Sequence, residues 1–154
     1  MLVFALVAAM AQASVSTPFV LNLICEGEGT QAKPTSTYGS VYTSNGRWAN
    51  GSFTTMAEHS FQDAVRIEFQ GDGGRIRIPQ TMLPPIRGGH EGWMDLKKVV
   101  VKDDEIDAQA KINVFNTAKI RIDRLTGILS LGVLGGNYSG QCQPYDPAKA
   151  QRAF

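Results

Sequence analysis

Apolar and polar residues alternate with a period of two between Val65 and Cys142. Successive side chains of a β-strand point to opposite faces of the sheet, so this alternation predicts antiparallel strands with one buried and one solvated face. Turn-forming residues stand where the alternation has to reverse. The pattern therefore predicts an all-β domain.

The predicted strands number about eight, and nearly all are joined by short hairpin loops. The 154 residues allow one domain with a substantial core. Cysteines stand in the first and last predicted strands, so a disulfide would join the two ends of the meander. We expect a small antiparallel meander barrel closed by this disulfide, with a two-sheet β-sandwich as the alternative.

The N-terminus has the pattern of a secretory signal. Residues 2–11 form the apolar run LVFALVAAMA, and Ala11-Gln12-Ala13 is a small-x-small cleavage site. No Lys or Arg precedes the run, and a buried first strand is the alternative interpretation. We predict that residues 1–13 are a signal peptide and that residues 14–154 form a single β-domain, periplasmic or secreted.

Export determines the state of the two cysteines. Two cysteines in an exported chain most often pair, so we predict a disulfide between Cys25 and Cys142. Closing so long a loop stabilises the fold by about 4–5 kcal/mol in the chain-entropy account. Two buried free thiols are the alternative if the chain is not exported.

Hairpin registers follow from keeping the apolar residues on one face. The predicted cross-strand pairs are Ile67/Ile78, Phe69/Ile76, Ile112/Ile120, Ile120/Leu131, Ile122/Leu129 and Val133/Tyr138. The first hairpin has Asp72-Gly73 as its predicted type I′ turn and sets Glu68 opposite Arg77. Strand 106–114 carries Val114 on its inner face.

The strand from Trp93 to Lys102 changes the parity of its apolar residues. Met94 and Leu96 disagree with Val99 and Val101, which predicts a β-bulge near 97–98 and places both valines inward. Near the C-terminus, Asp146 before Pro147 predicts an N-cap and one or two turns of helix.

Residues 30–64 carry the weakest pattern, because they are rich in Ser, Thr and Gly and poor in aliphatic residues. Asn45-Gly46 predicts a type I′ hairpin between residues 41–43 and 47–49. We expect one mobile hairpin and irregular connections in this stretch.

No catalytic or metal-binding motif stands out. His59 and His90 are far apart in predicted loops, and the acidic residues at 103–107 lack the spacing and central glycine of a calcium loop. Asp123 and Arg124 in IDRLTG are either ligand contacts or, as we favour, parts of a capped turn that ends at Gly127. We expect no cofactor, no metal and no enzymatic activity.

The loop 82–93 is the best candidate for binding, because it combines apolar residues with two rigid prolines in a connection between strands. Its candidate binding residues are Met82, Leu83, Ile86, Arg87, His90 and Trp93. Met82, Leu83 and Ile86 could instead plug one end of the barrel. The sequence leaves both interpretations open.

The C-terminal half also resembles other sequences. The run IDRLTG, a strand and then YSGQC, preceded by RIRIP…LPP…GW, is similar to small uncharacterised exported bacterial proteins. The resemblance covers residues 76–142. It implies a bacterial, exported protein and assigns no activity and no catalytic residue.

Three classes of function follow. The first is a non-enzymatic envelope or periplasmic domain that binds a protein partner or an envelope component. The second is a barrel that binds a small apolar ligand or lipid, with Tyr42, Trp48, Phe53 and Trp93 at its mouth. The third is an inhibitor of a secreted hydrolase that presents residues 82–92. The net charge of +1 gives no reason to expect nucleic acid, and the N-terminal run is too short for a transmembrane anchor.

Overall fold

The computed structural model describes residues 17–149, which fold as a closed barrel of eight antiparallel strands in chain order. The strands are β1 (Val20–Tyr42), β2 (Trp48–Gln70), β3 (Gly73–Arg77), β4 (Trp93–Val101), β5 (Glu105–Lys111), β6 (Thr117–Asp123), β7 (Ile128–Val133) and β8 (Gly136–Pro144). Each strand pairs with the next, and β8 pairs with β1. The meander barrel is confirmed over the sandwich. The predicted signal peptide lies outside the described residues.

Alternate residues of each strand fill the interior, as the sequence pattern predicts. In β5 and just beyond it, Ile106, Ala108, Ala110 and Ile112 are all buried. These residues belong to one contiguous apolar core that receives side chains from all eight strands. Val114 breaks the predicted pattern, because it lies in the following loop and is exposed.

The β6–β7 hairpin has the predicted register. Ile120 pairs with Leu131 and Ile122 pairs with Leu129 across a loop that spans residues 124–127. The turn closes through a hydrogen bond from the Gly127 N–H to the Asp123 carbonyl at 2.8 Å. Gly127 has φ +73°, a conformation that side chains other than glycine rarely adopt.

The predicted β2–β3 register is wrong by two positions. Ile67 pairs with Ile76 and Glu68 pairs with Arg75, which moves both Ile78 and Arg77 from their predicted partners. The reason lies in the turn, which is Gly71-Asp72 rather than Asp72-Gly73. Glycine with φ +62° at the first central position fits a type II′ turn.

In two other hairpins the turn is also centred earlier in the chain than predicted. Ile120 pairs with Ala108 rather than Ile112, because the Ile112 N–H bonds to the Asn116 carbonyl and ends the ladder there. Tyr138 pairs with Leu131 rather than Val133. The register errors in these three hairpins are two or four residues, so the apolar side chains that remain in the paired strands keep their predicted face.

The predictions for β4 and the C-terminus are largely confirmed. The β4–β5 register shifts between Lys97 and Val100, and Lys98 has φ +52°, as expected for a bulge. Val99 packs against the core, whereas Val101 is partly exposed at the barrel end. A single 3₁₀ turn spans Pro147–Lys149, and the Asp146 carboxylate accepts a hydrogen bond from the N–H of residue 148.

The disulfide between Cys25 and Cys142 joins the first and last strands, as predicted, with an S–S distance of 2.02 Å. The two residues face each other directly in the β1–β8 ladder, with Cα atoms 3.9 Å apart. The covalent bond therefore lies in the seam that closes the barrel. It fixes the strand pair that forms across the longest sequence separation.

Tyr138 seals the same seam on its inner side. Its side chain is buried, and its hydroxyl contacts the carbonyl oxygens of Cys25 at 2.8 Å and Asp63 at 2.9 Å. Gly140 makes room for the side chain of Tyr138, because a Cβ there would lie 2.7 Å from the hydroxyl oxygen. Its partner in the ladder, Gly27, allows close approach of the two strands, because a Cβ there would collide with the backbone of Ser139. Burial raises the pKa of Tyr138 to about 12.

Residues 30–64 differ most from the prediction. Beyond Gln31, where the pairing of β1 with β8 ends, β1 and β2 pair only with each other, residue by residue from Lys33↔Ala57 to Tyr42↔Trp48. We call residues 33–57 the arm. Ten residues per strand extend it about 33 Å past the barrel. The expected irregular connections are wrong, because continuous pairing does not require an alternation of apolar residues.

The turn at the tip of the arm is not type I′. Only Gly46 has a positive φ, +76°, and its N–H donates to the Thr43 carbonyl. The Thr43 N–H donates to the Arg47 carbonyl at 2.8 Å. This is a three-residue loop in which a type I turn is followed by a left-handed glycine.

We expect Ile120→Ala to lower the free energy of unfolding by about 2–5 kcal/mol, because it empties a buried site between Ala108 and Leu131. The adjacent, outward-facing Lys119→Ala is the control and should change it by less than about 0.5 kcal/mol. Urea unfolding measures both values. Equal effects of the two substitutions would contradict the assignment of faces.

We expect Tyr138→Phe to remove a component of alkaline unfolding. The pKa of Tyr138 is about 12 in the folded chain and about 10 when unfolded, so the folded state holds the proton more tightly. This contribution is complete below pH 10 and is lost as the pH rises towards 12. Thermal melting between pH 8 and 12 should therefore show a shallower loss of stability in the variant. Parallel curves of melting temperature against pH for the two proteins would refute this role of the Tyr138 hydroxyl.

Candidate binding surface at the arm end of the barrel

The connections of a meander barrel alternate between its two ends. One end, which we call the arm end, carries the arm, the β3–β4 loop (residues 78–92), the β5–β6 loop (112–116) and the β7–β8 turn (134–135). The opposite end carries the other three turns and the first and last described residues, 17–19 and 145–149. The predicted binding loop therefore lies beside the base of the arm, which sequence analysis did not foresee.

The first part of the predicted binding loop fits the interpretation as a barrel plug, and its second part fits the interpretation as a binding surface. Met82 is 1% exposed and belongs to the core, and Leu83 packs against that core. The 3₁₀ turn at Gln80–Met82 directs these residues into the barrel. Ile86, three residues further on, is 83% exposed. The loop thus closes the barrel with its first part and presents an apolar side chain with its second.

The remaining three predicted residues have structural partners. Arg87 donates hydrogen bonds to the Pro84 carbonyl and to Gln80 Oε1, so its guanidinium braces the loop. His90 is exposed, and its backbone forms an isolated bridge with Trp93. Trp93 is half-buried, and the guanidinium carbon of Arg75 lies over its ring, 4.5 Å from the ring centre. These three do not converge with Ile86 on one site.

Two asparagines connect the arm-end loops to one another. The Asn113 side chain donates to the Ile86 carbonyl and accepts hydrogen bonds from the N–H groups of Phe115 and Asn116. Asn116 Oδ1 in turn accepts the N–H of Leu134 at 3.0 Å. The Gly88 N–H donates to the Ile112 carbonyl. Three separate loops are therefore held as one unit.

This unit exposes four large apolar side chains, which we call the arm-end patch: Ile86 (83% exposed), Val114 (76%), Phe115 (88%) and Leu134 (69%). Phe115 and Leu134 line a groove of about 680 Å³, together with Leu83 and Pro84. The far wall of the groove is the base of the arm at 31–34. The barrel end and the arm thus enclose a concave, largely apolar surface.

Sequence analysis identified Ile86 but missed the other three members of the patch. The alternation of β5 continues to Val114 and therefore predicts a core position for it. The predicted pairs Ile112/Ile120 and Val133/Tyr138 place Phe115 and Leu134 in turns. The only available signal was the occurrence of bulky apolar residues within the turns VFN and LGG, where polar residues are usual.

The aromatic residues predicted to line a barrel mouth lie elsewhere. Tyr42, Trp48 and Phe53 are on the arm, and only Trp93 is at the barrel. Tyr42 and Trp48 form a cross-strand pair at the tip, with ring centres 5.4 Å apart. The prediction of a mouth is wrong because the continuous β1–β2 pairing carries these rings away from the barrel.

The acidic cluster and the IDRLTG turn are structural. Asp107 is paired with Arg121, whose guanidinium hydrogen bonds to it at 2.9 Å and lowers the pKa of the carboxyl. The Asp123 carboxylate accepts the N–H groups of Thr126 and Leu125, which lower its pKa. Both sites are occupied by their own contacts, as expected for turns and a solvated face.

Two findings concern metal binding and membrane spanning. His59 lies in β2 rather than in the predicted loop, and within residues 17–149 no three His, Cys, Asp or Glu residues are arranged to hold a metal ion. In the same part of the chain, no helix has the length and apolar character needed to cross a membrane.

Comparison with known proteins adds no assignment, because no protein family, curated protein or solved structure matches the chain. The resemblance to small exported bacterial proteins therefore stays a prediction.

We expect Asn113→Ala to uncouple the arm-end loops. The substitution removes the hydrogen bond to the Ile86 carbonyl and leaves the N–H groups of Phe115 and Asn116 without their acceptor. It should lower the free energy of unfolding by about 1–3 kcal/mol and speed hydrogen exchange in the 78–92 loop. Exchange measured by mass spectrometry checks this, with the β6–β7 turn as the internal reference. Unchanged exchange in residues 78–92 would contradict the network.

Proposed function

We propose that this protein is an exported, non-enzymatic binding protein and that the arm-end patch anchors a protein partner. The observation that carries the proposal is the exposure of four large apolar side chains on three loops at the same end. Single exposed apolar residues are common, but several gathered at one end mark an interaction surface. The disulfide is compatible with export, which remains part of the proposal.

The rigidity of the loops supports this function. Binding orders flexible groups at a cost in entropy, and a surface held in place before binding avoids part of that cost. Ile86 follows Pro84-Pro85, its carbonyl is bonded to Asn113, and the next residue braces the loop through the Pro84 carbonyl. Its side chain is therefore presented by a constrained backbone, as an interface anchor requires.

A lipid-binding barrel is less well supported. The interior of an eight-stranded barrel is either filled by side chains or holds one small ligand. Here, the large residues Phe69, Ile76 and Met82 are fully buried and belong to one contiguous core. The core residues occupy the position that an internal apolar ligand would need.

An inhibitor of a secreted hydrolase is the second candidate. The specific observation in its favour is that exposed Ile86 lies between residues whose backbones are both fixed by hydrogen bonds, at Pro84 and at Gly88. A rigid, protruding loop can enter a concave cleft without reordering. In this case the partner would be a hydrolase, and the anchor residue would be the same.

The proposal predicts that Ile86→Ser combined with Phe115→Ser abolishes partner capture. Anchor residues typically contribute about 2 kcal/mol or more each, so capture should fall by more than tenfold. Tagged protein is expressed in the source organism, cross-linked and purified, and the captured proteins are quantified by mass spectrometry. Secreted hydrolases among them are then assayed for inhibition by the wild-type chain.

Leu125→Ser is the matched control, because Leu125 is 84% exposed in the turn at the opposite end. It removes a similar apolar side chain and should leave capture unchanged. Circular dichroism and the intact disulfide establish that each variant is folded. Full capture by the folded double variant, or equal loss with Leu125→Ser, would rule out the arm-end patch.

A further inference from the structure

We propose that the arm pairs with the arm of a second copy of this chain, through the open edge of β2 over residues 48–56. This inference is separate from the partner site, because it concerns the backbone of the arm rather than the arm-end patch. Two strands alone are at best marginally stable in water, and the arm has no other strand beside it within residues 17–149.

The hydrogen-bond pattern shows which groups the arm leaves open. The Thr43 N–H bonds to the Arg47 carbonyl, and bonded pairs alternate along an antiparallel ladder. The odd-numbered residues of the arm therefore bond across the ribbon. The even-numbered residues of β2, from Trp48 to Met56, direct their N–H and C=O groups away from β1. The even-numbered residues of β1, from Pro34 to Tyr42, direct their backbone polar groups away from β2.

The two edges differ in protection. On β1, one outward position is Pro34, which has no N–H, and Lys33 precedes it. Proline and lysine are the residues that block strand addition at an edge. On β2, residues 48–57 contain no charge and no proline. The edge of β2 is therefore open along its whole length in the arm, whereas the edge of β1 is blocked at its base.

A second copy supplies a strand of matching length and chemistry. A two-fold axis normal to the sheet keeps each side chain on its own face, so the paired residues must both be even or both be odd. Centring the axis on Ser52 pairs Trp48 with Met56, Asn50 with Thr54 and Gly51 with Phe53. All five outward N–H groups and all five C=O groups between residues 48 and 56 then find partners.

The side-chain pairs in this register are complementary. Trp48 is 70% and Met56 67% exposed in the single chain, and sulfur–aromatic contacts are favourable. Phe53 covers the glycine opposite it, and Asn50 can hydrogen bond to Thr54. The only self-pair is Ser52, which is small and uncharged. No like charges oppose each other along the shared edge.

The first test is a cysteine at the two-fold axis. A hydrogen-bonded antiparallel pair has Cα atoms about 5.5 Å apart, within the range of a disulfide. Ser52→Cys should form a disulfide-linked dimer in air at micromolar concentration, seen on non-reducing gels. Ser36→Cys, an exposed outward position on the protected β1 edge, is the control and should stay predominantly monomeric on the gel.

The second test uses light scattering coupled to size exclusion, and a dimer is expected for the wild type. Thr54→Pro removes an outward N–H from each copy and should raise the dimer dissociation constant at least about tenfold. Ser36→Pro, at the residue paired with Thr54, makes the same change on the other edge and should have no effect. Ser52→Glu, which sets two carboxylates face to face, is a second disrupting variant that leaves the β1–β2 bonds intact.

Circular dichroism and the Cys25–Cys142 disulfide report on folding of each variant. A monomeric wild type, a dimer that survives both Thr54→Pro and Ser52→Glu, or equal cross-linking through residues 36 and 52 would each overturn the proposal. The arm-end variants Ile86→Ser and Phe115→Ser should not change the oligomeric state. The two proposals therefore fail independently.

Discussion

The closure of β8 onto β1 is the interaction on which the rest of the structure depends. It joins strands that are 117 residues apart in sequence, so its loop-entropy cost is the largest in the meander. The disulfide, the facing glycines Gly27 and Gly140, and the hydroxyl of Tyr138 all act at this seam. Without it the barrel would have two open edges, and its core would be accessible to water.

The same closure supports the arm. β1 and β2 are each 23 residues long, and their first and last parts, respectively, belong to the barrel. Within the barrel, residues 23–31 of β1 lie between β8 and β2, and residues 66–70 of β2 lie between β1 and β3. The ladder that continues into residues 33–57 therefore starts from an ordered pair of strands. Propagation from a fixed end costs less entropy than forming a free hairpin. A stable barrel thus permits an extension that lacks a core of its own.

The sequence predicted the faces of the strands but not all of their partners. Apolar alternation determines the face to which a residue such as Ile67 or Ile120 points, because burial depends only on its parity along the strand. It does not distinguish registers that differ by an even number of residues, which is why three hairpins close earlier in the chain than expected. Those registers depend on the φ of single turn residues such as Gly71. Only the register of the β6–β7 hairpin, where a wrong loop would bury Ser130, was predicted correctly.

The arm and most of the arm-end patch were less predictable for a related reason. The arm has no buried face, so the hydrophobic pattern that signals strands is missing, and its pairing rests mainly on backbone hydrogen bonds. Phe115 and Leu134 join Ile86 only because alternate loops of a meander gather at one end. That juxtaposition follows from the topology of the whole chain and cannot be seen in any local motif.

Both proposed contacts depend on groups without charge. The arm-end patch is apolar, its loops are linked mainly by amide groups, and the pairing edge of β2 has no ionisable side chain. Association through such surfaces responds little to ionic strength, since salt screens charges and not apolar burial or backbone pairing. Pairing of two arms also places two arm-end patches in one particle. A partner that presents two sites could then bind with an avidity that neither patch has alone, provided that the spacing allows both to engage.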